Sequence, residues 1–380
     1  MTKHKEMTII DYRMMKVIRR KIIFVVDSLS QPRCIKRILS FVHAGYECEV
    51  YGYDRNKYNC NSLPKDIPVT VLGEMHDGVD YFKKLKMLRQ DIRGIVIKHK
   101  NESPVYYSFG FISTLLFFLK RQDYVYEISD ILYGYPRFSK VLWLFKALDK
   151  RIIKKSVATV MTSEGFYEFF GLKNNNIIIQ PNKVNSSMSN VERKRLQLNK
   201  DSGLVFSFVG AIRYDTVFRF AEIVGSYFPH HQFHFYGQAS DSSSKRIKDL
   251  MEKYSNIKSF GAFKNPDDLE KIYNAISIVV ACYTPSSLNE RIAEPNKLYE
   301  AMFFCKPIVV SDGTFLSRQV KRFDCGFCLD ATNEQNIIDF IKNLDAEECR
   351  RISEIDANRD VHELLDNPDS ITKRVTSLLL

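Results

Sequence analysis

Apolar residues in this chain fall in short runs separated by longer amphipathic stretches. Lys21 to Val26 (KIIFVV) is a β-branched run closed by Asp27 and Ser28, as expected of a strand buried on both faces. Ile35, Ile38, Leu39 and Val42 then recur at helical spacing, Gly45 stands where a helix C-cap belongs, and Cys48 to Tyr51 reads as the next strand. The alternation continues through a strand Val69 to Leu72, a basic helix near Tyr81 to Lys98, a strand Val105 to Ser108, an apolar helix ending at Leu119 and a strand Tyr124 to Ile128. Repeated β-α-β units predict a parallel sheet covered on both faces by helices.

A polar stretch, Val184 to Ser202, interrupts this series with Ser, Asn and charge and reads as a linker. A second series follows. Strands are predicted at Val205 to Val209, Gln232 to Tyr236, Ile257 to Phe260, Ile278 to Ala281 and Pro307 to Val310. Helices are predicted at Val217 to Tyr227, Arg246 to Tyr254, Leu269 to Ala275 and Lys297 to Phe304. The fold class is therefore α/β, with two tandem Rossmann-like domains, 1–190 and 191–380, facing one cleft; the last helix is free to pack back on the first domain. Ligands of open α/β sheets bind at the carboxyl ends of the strands, so the cleft is the expected site.

Length and composition narrow the classes. A chain of 380 residues with 45% hydrophobic and 27% charged residues exceeds a single small binding module and is not a disordered chain. The apolar run Phe109 to Leu119 is about half of the roughly 20 residues that a bilayer span needs, so no transmembrane helix is expected. Met1 to Lys21 is punctuated by charge and lacks the long apolar core of a secretory signal, which points to the cytoplasm. Eight cysteines are too sparse for a disulfide scaffold, and the CxxC of Cys325 and Cys328 lacks a second pair or histidine partners. Neither a metal nor another cofactor is expected.

Charge is unevenly spread. Residues 1–190 hold 31 Lys and Arg against 18 Asp and Glu, a net +13, whereas 191–380 hold 25 against 27, a net −2, within a total of +11. Solubility alone explains such an excess, but so does an anionic partner of the first half: a membrane face, a pyrophosphate-carrying acceptor or a nucleic acid. The basic residues are dispersed and no nucleic-acid motif accompanies them, so nucleic acid is the weakest of the three. Trp143 to Lys155 joins apolar residues to Lys146, Lys150, Arg151, Lys154 and Lys155, with Lys140 just before, a composition suited either to a core-packed helix with a basic outer face or to peripheral contact with an anionic leaflet.

Glu294 to Ser311 (EPNKLYEAMFFCKPIVVS) carries the most specific chemistry. On helical spacing Lys297, Glu300 and Ala301 share one side, Pro295 suits a first turn, and the helix N-terminus offers free N–H groups and a positive dipole to a phosphate. This run resembles the donor-binding segment of glycosyltransferase family 4 and its relatives of the two-Rossmann-domain (GT-B) fold, with Cys305 where the family has Gly. Phe208 to Arg213 (FVGAIR) is similar to the family's first second-domain strand, its Gly turn and its diphosphate-binding Arg; Phe235-Tyr236-Gly237, Asn256 to Gly261, Val160 to Ser163 and Ile177 to Asn182 follow in the family's order.

The resemblance implies a donor site at Gly210, Arg213, Gly237, Glu294, Asn296, Lys297, Leu298 and Glu300. Arg213 and Lys297 would neutralise the diphosphate of a nucleotide-sugar, and Glu300 would accept the ribose hydroxyls. On the acceptor side it implies Arg33, with Asp130 and Glu127, at the end of a strand on the cleft edge, as catalytic candidates. Departures are also legible: the residue eight before Glu300 is Ile292 where the family carries a first Glu, with Glu290 and Glu294 out of that spacing, and no Lys follows Arg213. The implied activity is hexosyl transfer from a nucleotide-sugar to a glycan or lipid-linked acceptor, of the retaining kind, in surface polysaccharide biosynthesis. A sugar-nucleotide epimerase of the same fold, or a non-catalytic nucleotide-sugar-binding partner in a glycan assembly complex, would carry many of the same residues.

Overall fold

The computed structural model describes residues 20–55, 63–75, 81–198 and 203–379. The first 19 residues, on which the expectation about a leader mainly falls, and the last four of the polar stretch lie outside the described residues.

The first half comprises β1 (Ile22–Val26), α1 (Pro32–His43), β2 (Cys48–Asp54), β3 (Val69–Glu74), α2 (Tyr81–Lys98), β4 (Val105–Phe109), α3 (Phe111–Leu119) and β5 (Tyr124–Ile128). Two 3₁₀ turns, Leu132–Gly134 and Pro136–Val141, lead into α4 (Leu142–Lys155), β6 (Ala158–Met161), α5 (Glu164–Phe170) and β7 (Ile177–Ile179). The sheet runs β3-β2-β1-β4-β5-β6-β7, with every neighbour parallel. β1, β4 and β5 are buried along their whole length, which is why they read as continuous apolar runs rather than alternating ones.

The second half comprises β8 (Val205–Val209), α6 (Asp215–Tyr227), β9 (Gln232–Tyr236), α7 (Asp241–Lys253), β10 (Ile257–Ser259), α8 (Leu269–Asn274), β11 (Ile278–Ala281), α9 (Leu288–Ile292), α10 (Asn296–Phe303), β12 (Ile308–Ser311) and α11 (Phe315–Phe323). It closes with β13 (Gly326–Leu329), α12 (Glu334–Lys342), α13 (Ala346–Ala357), α14 (Val361–Leu364) and α15 (Pro368–Leu379). Its sheet, β10-β9-β8-β11-β12-β13, is also parallel throughout. In both sheets the order reverses beside the first strand, the crevice where ligands of such folds bind.

Several local features differ from the sequence expectation. β13, which follows Cys325 and contains Cys328, was not anticipated. It lies so close to β12 that a Cβ on Gly326 would fall 1.9 Å from the Ile308 carbonyl oxygen. α7 begins at Asp241 rather than Arg246, because Ser240 caps it by accepting from the Ser243 N–H, and a serine run hides such a start from apolar periodicity. Pro295 is the N-cap of α10 rather than a residue of its first turn.

The polar stretch is not a loose tether. Met188 and Leu196 join the second core, and Arg193 donates to the carbonyls of Phe303, Asp356 and Arg359. After α14 the chain returns to the first half, where Tyr46 donates to Thr376 at 2.6 Å, Thr372 donates to Ser40 at 3.0 Å, and Lys36 pairs with Asp366. α15 therefore packs on α1. Among the described residues no helix is long and apolar enough to cross a membrane.

Candidate functional site

Two glycine turns lie at the carboxyl ends of β8 and β9. Gly210 has φ +132° and Gly237 φ +135°, backbone conformations that side chains rarely adopt. A Cβ on Gly237 would fall 1.9 Å from the Gly210 carbonyl oxygen, and a Cβ on Gly210 would fall 2.8 Å from Lys297 Nζ. The turns are thus stacked, and the lysine head group rests on the outer one. Lys297 stands in the first turn of α10, nine-tenths buried, with its Nζ 4.5 Å from the Phe208 ring centroid and 5.8 Å from that of Tyr283. Among the described residues no carboxylate lies within ion-pair distance of it. A desolvated ammonium held by aromatic faces beside backbone N–H groups is a seat for an anion.

Glu300, one turn along α10, is also buried; Tyr273 donates to its carboxylate at 2.8 Å and Asn265 Nδ2 at 3.3 Å. Burial pushes the Glu300 carboxyl above and the Lys297 ammonium below its ordinary range, while each charge opposes the shift of the other.

Arg213, exposed just beyond Gly210, donates to the Tyr214 hydroxyl at 3.1 Å and lines a cleft of about 390 Å³. Asp130 and Tyr135 of the first half face it there, with Glu290 and Pro295 of the second. Asp130 accepts from the Tyr135 hydroxyl at 2.9 Å; desolvation raises its carboxyl, and the opposing Arg213 limits the rise. A second cavity of about 350 Å³ opens in the first half and is lined by Asp130 with Asp27, Arg33, Arg55 and Lys84. Asp130 borders both spaces.

Three of the residues singled out in the sequence are buried and held by other side chains or the core. Glu127 is fully buried and acts as a counter-ion: Arg37 Nε donates to it at 2.9 Å, the Tyr107 hydroxyl at 2.5 Å, and Arg33 Nε lies 3.4 Å away. Its carboxylate is spent on holding Arg33 and Arg37, and it has no surface to offer a substrate. Leu298 has no exposed surface and belongs to the second core, since its position in α10 faces inward. Glu294 is buried, accepts a hydrogen bond from the Tyr299 hydroxyl and is pushed up to about 6 by burial. Asn296 is exposed at the start of α10.

Residues that the sequence reasoning missed also shape the site. Glu290, considered out of register, reaches the cleft from α9 and lies close enough to Arg213 for its charge to be felt. Its neighbour Asn289 grips the first half: its Oδ1 accepts from the Ile131 N–H at 2.8 Å and its Nδ2 donates to the Ile131 carbonyl at 3.0 Å. Ile292, in the family's first-Glu position, contributes its carbonyl to the Ser163 hydroxyl at 2.7 Å and packs on Gly165, where a Cβ would fall 2.2 Å from that oxygen. Only a five-residue helix places these groups, too short for apolar periodicity to reveal. Among the described residues no group of three His, Cys, Asp or Glu side chains is placed to hold a metal ion.

Comparison with known proteins gives one family match and one recurring fold. Residues 190–359 match the glycosyl transferases group 1 family. No curated protein matches the sequence. Among solved structures, sucrose-phosphate synthase from Thermosynechococcus elongatus is 13% identical, with a TM-score of 0.71 over 95% of this chain and 99% of that one. WaaG, a glycosyltransferase involved in lipopolysaccharide biosynthesis, is 12% identical, with a TM-score of 0.66 over 93% and 99%. Anabaena HepE in complex with UDP and glucose is 15% identical, with a TM-score of 0.62 over 95% and 99%. These likenesses establish the two-Rossmann-domain fold.

Proposed function

We propose, from the premise that the second half of this chain is a glycosyl transferases group 1 domain, that the protein transfers a sugar from a nucleotide-sugar to a glycan or lipid-linked acceptor. The observation that carries this reading is Lys297: a buried ammonium on a Gly turn, with no ion-paired carboxylate among the described residues, is compensated when a diphosphate arrives. Arg213 supplies a second, exposed positive charge, close enough for Lys297 to feel its field. Charge grows on the diphosphate as the glycosidic bond breaks, so two preorganised cations stabilise the transition state more than the ground state. Glu300, oriented by Tyr273 and Asn265, is suited to the two ribose hydroxyls. HepE was solved with UDP and glucose, which makes a uridine donor the first to try.

Asp130 and Glu290 flank Arg213 from opposite halves of the cleft, where a reacting sugar would lie between donor and acceptor. In this proposal neither attacks the sugar; the leaving phosphate takes the acceptor proton on the same face and the transfer retains configuration, with the protein supplying position and field. The two cations leave no need for a divalent ion, so activity is expected to survive chelation. The reading places the enzyme in the cytoplasm, in assembly of a surface polysaccharide.

The test is donor turnover. Slow release of nucleoside diphosphate is expected from one of a panel of UDP-, GDP- and ADP-sugars, undiminished by EDTA and lost in Glu300→Ala. Interconversion of the free sugar-nucleotide without transfer would replace this proposal with the epimerase.

A further inference from the structure

The segment between Asp130 and β6 presents an exposed surface, most of it outside the transfer cleft. Tyr135, Val141, Trp143 and Leu144 are exposed, Trp143 by 71% and Leu144 by 53%. Across residues 131–163 there are seven Lys and Arg and a single acid, Asp149. That acid does not offset them at the surface: it is turned inward against the Tyr133 hydroxyl at 2.6 Å, and burial raises its carboxyl to about 7. Arg137, Lys140, Arg151, Lys154 and Lys155 are all exposed, and among the described residues none lies within 4 Å of a carboxylate.

α4 sorts these groups by face. Asp149, Ile152 and Ile153 point into the core, while Trp143, Leu144, Arg151, Lys154 and Lys155 point out. The outer face is thus apolar at the helix start and basic at its end. Cations in a last helical turn favour the helix dipole, which accounts for Lys154 and Lys155 but not for Arg137 and Lys140 ahead of the helix, nor for an exposed tryptophan. An aromatic and aliphatic edge flanked by unpaired cations is the composition of a surface that lies in the headgroup plane of an anionic bilayer.

From charge complementarity and this sorting, the geometry points to the 135–155 face as a docking surface for an anionic lipid bilayer. Tyr135 joins the patch to the cleft, since it lines that space and bonds Asp130. Seating the patch brings the cleft mouth to the bilayer surface, where an amphiphilic acceptor would be presented. The inference concerns where the protein works and does not rest on donor binding.

Trp143 is the sole tryptophan of the chain, so its fluorescence reports on the patch without labelling. The full chain is mixed with vesicles of phosphatidylcholine alone and with vesicles in which about a third of the lipid is phosphatidylglycerol. The expected result is a blue shift and co-sedimentation with the anionic vesicles only, weakening as salt is raised. Arg151→Gln with Lys154→Gln and Lys155→Gln should weaken binding roughly a hundredfold, at about fivefold for each cation lost. Trp143→Ala, followed by sedimentation, should weaken it several-fold while leaving nucleotide binding intact. No shift, equal binding to neutral vesicles, or capture of single-stranded RNA without vesicle binding would overturn the inference. A nucleotide titration on the same samples tells failure of the docking surface from failure of the transferase reading.

Discussion

Lys297 concentrates the argument at the scale of single residues, because its burial is costly unless a ligand compensates it. Lys297→Met keeps most of the volume and removes the charge. It should leave the fold intact, or stabilise it slightly, and weaken nucleoside diphosphate binding by tenfold or more, read by titration and thermal melting. Gly210→Ala combines φ +132° with a Cβ 2.8 Å from the lysine head group, so it should cost about 1–3 kcal/mol of stability and weaken nucleotide binding too. Asp149 makes a separate prediction. Its folded carboxyl titrates at about 7 against an ordinary value of 3.8, so the fold binds the proton more tightly than the unfolded chain. Stability is then full below pH about 4, falls as pH rises to about 7, and stays reduced above. Asp149→Asn, which keeps an acceptor for Tyr133, should stabilise the fold at pH 8 but not at pH 4, by on the order of 4 kcal/mol, read as a higher melting temperature.

At the scale of elements, α9 is the piece that joins the halves. Asn289 holds both backbone groups of Ile131, the residue next to Asp130, and so fixes Asp130 relative to Arg213 and Glu290. Asn289→Ala should speed amide exchange at Ile131 and enlarge the radius of gyration in solution scattering, with little change in nucleotide affinity. An unchanged exchange rate would show that α9 does not hold the cleft. The contrast between α9 and α10 also explains what the sequence reveals. α10 lies inside a long specific motif, so its lysine and glutamate were legible; its inward leucine was read as a ligand because a motif does not say which face is core. α9 has five residues, and its functional partners are 158 positions away, a distance that no local pattern encodes. The burial of Glu127 was hidden for the related reason that a strand end looks the same whether its carboxylate meets solvent or a buried arginine. β1, β4, β5, β8, β11 and β12 were visible because burial on both faces gave continuous apolar runs, whereas β13, with a glycine and a cysteine among four residues, was not.

At the scale of the whole molecule, two parallel sheets present their strand ends to a shared cleft, and α15 returns from the second half to pack on α1. The first half carries the excess positive charge and the second the buried cation, so the molecule divides into a side suited to an anionic surface and a side suited to a nucleotide. The proposed transfer requires a nucleoside diphosphate seated on the Gly210 turn against Lys297. Calorimetric titration of the full chain with UDP, GDP and ADP, repeated on Lys297→Met, reads this out. The account predicts saturable binding of one nucleoside diphosphate, weakened at least tenfold in the variant. Binding of none of them, or binding that Lys297→Met leaves unchanged, would contradict it.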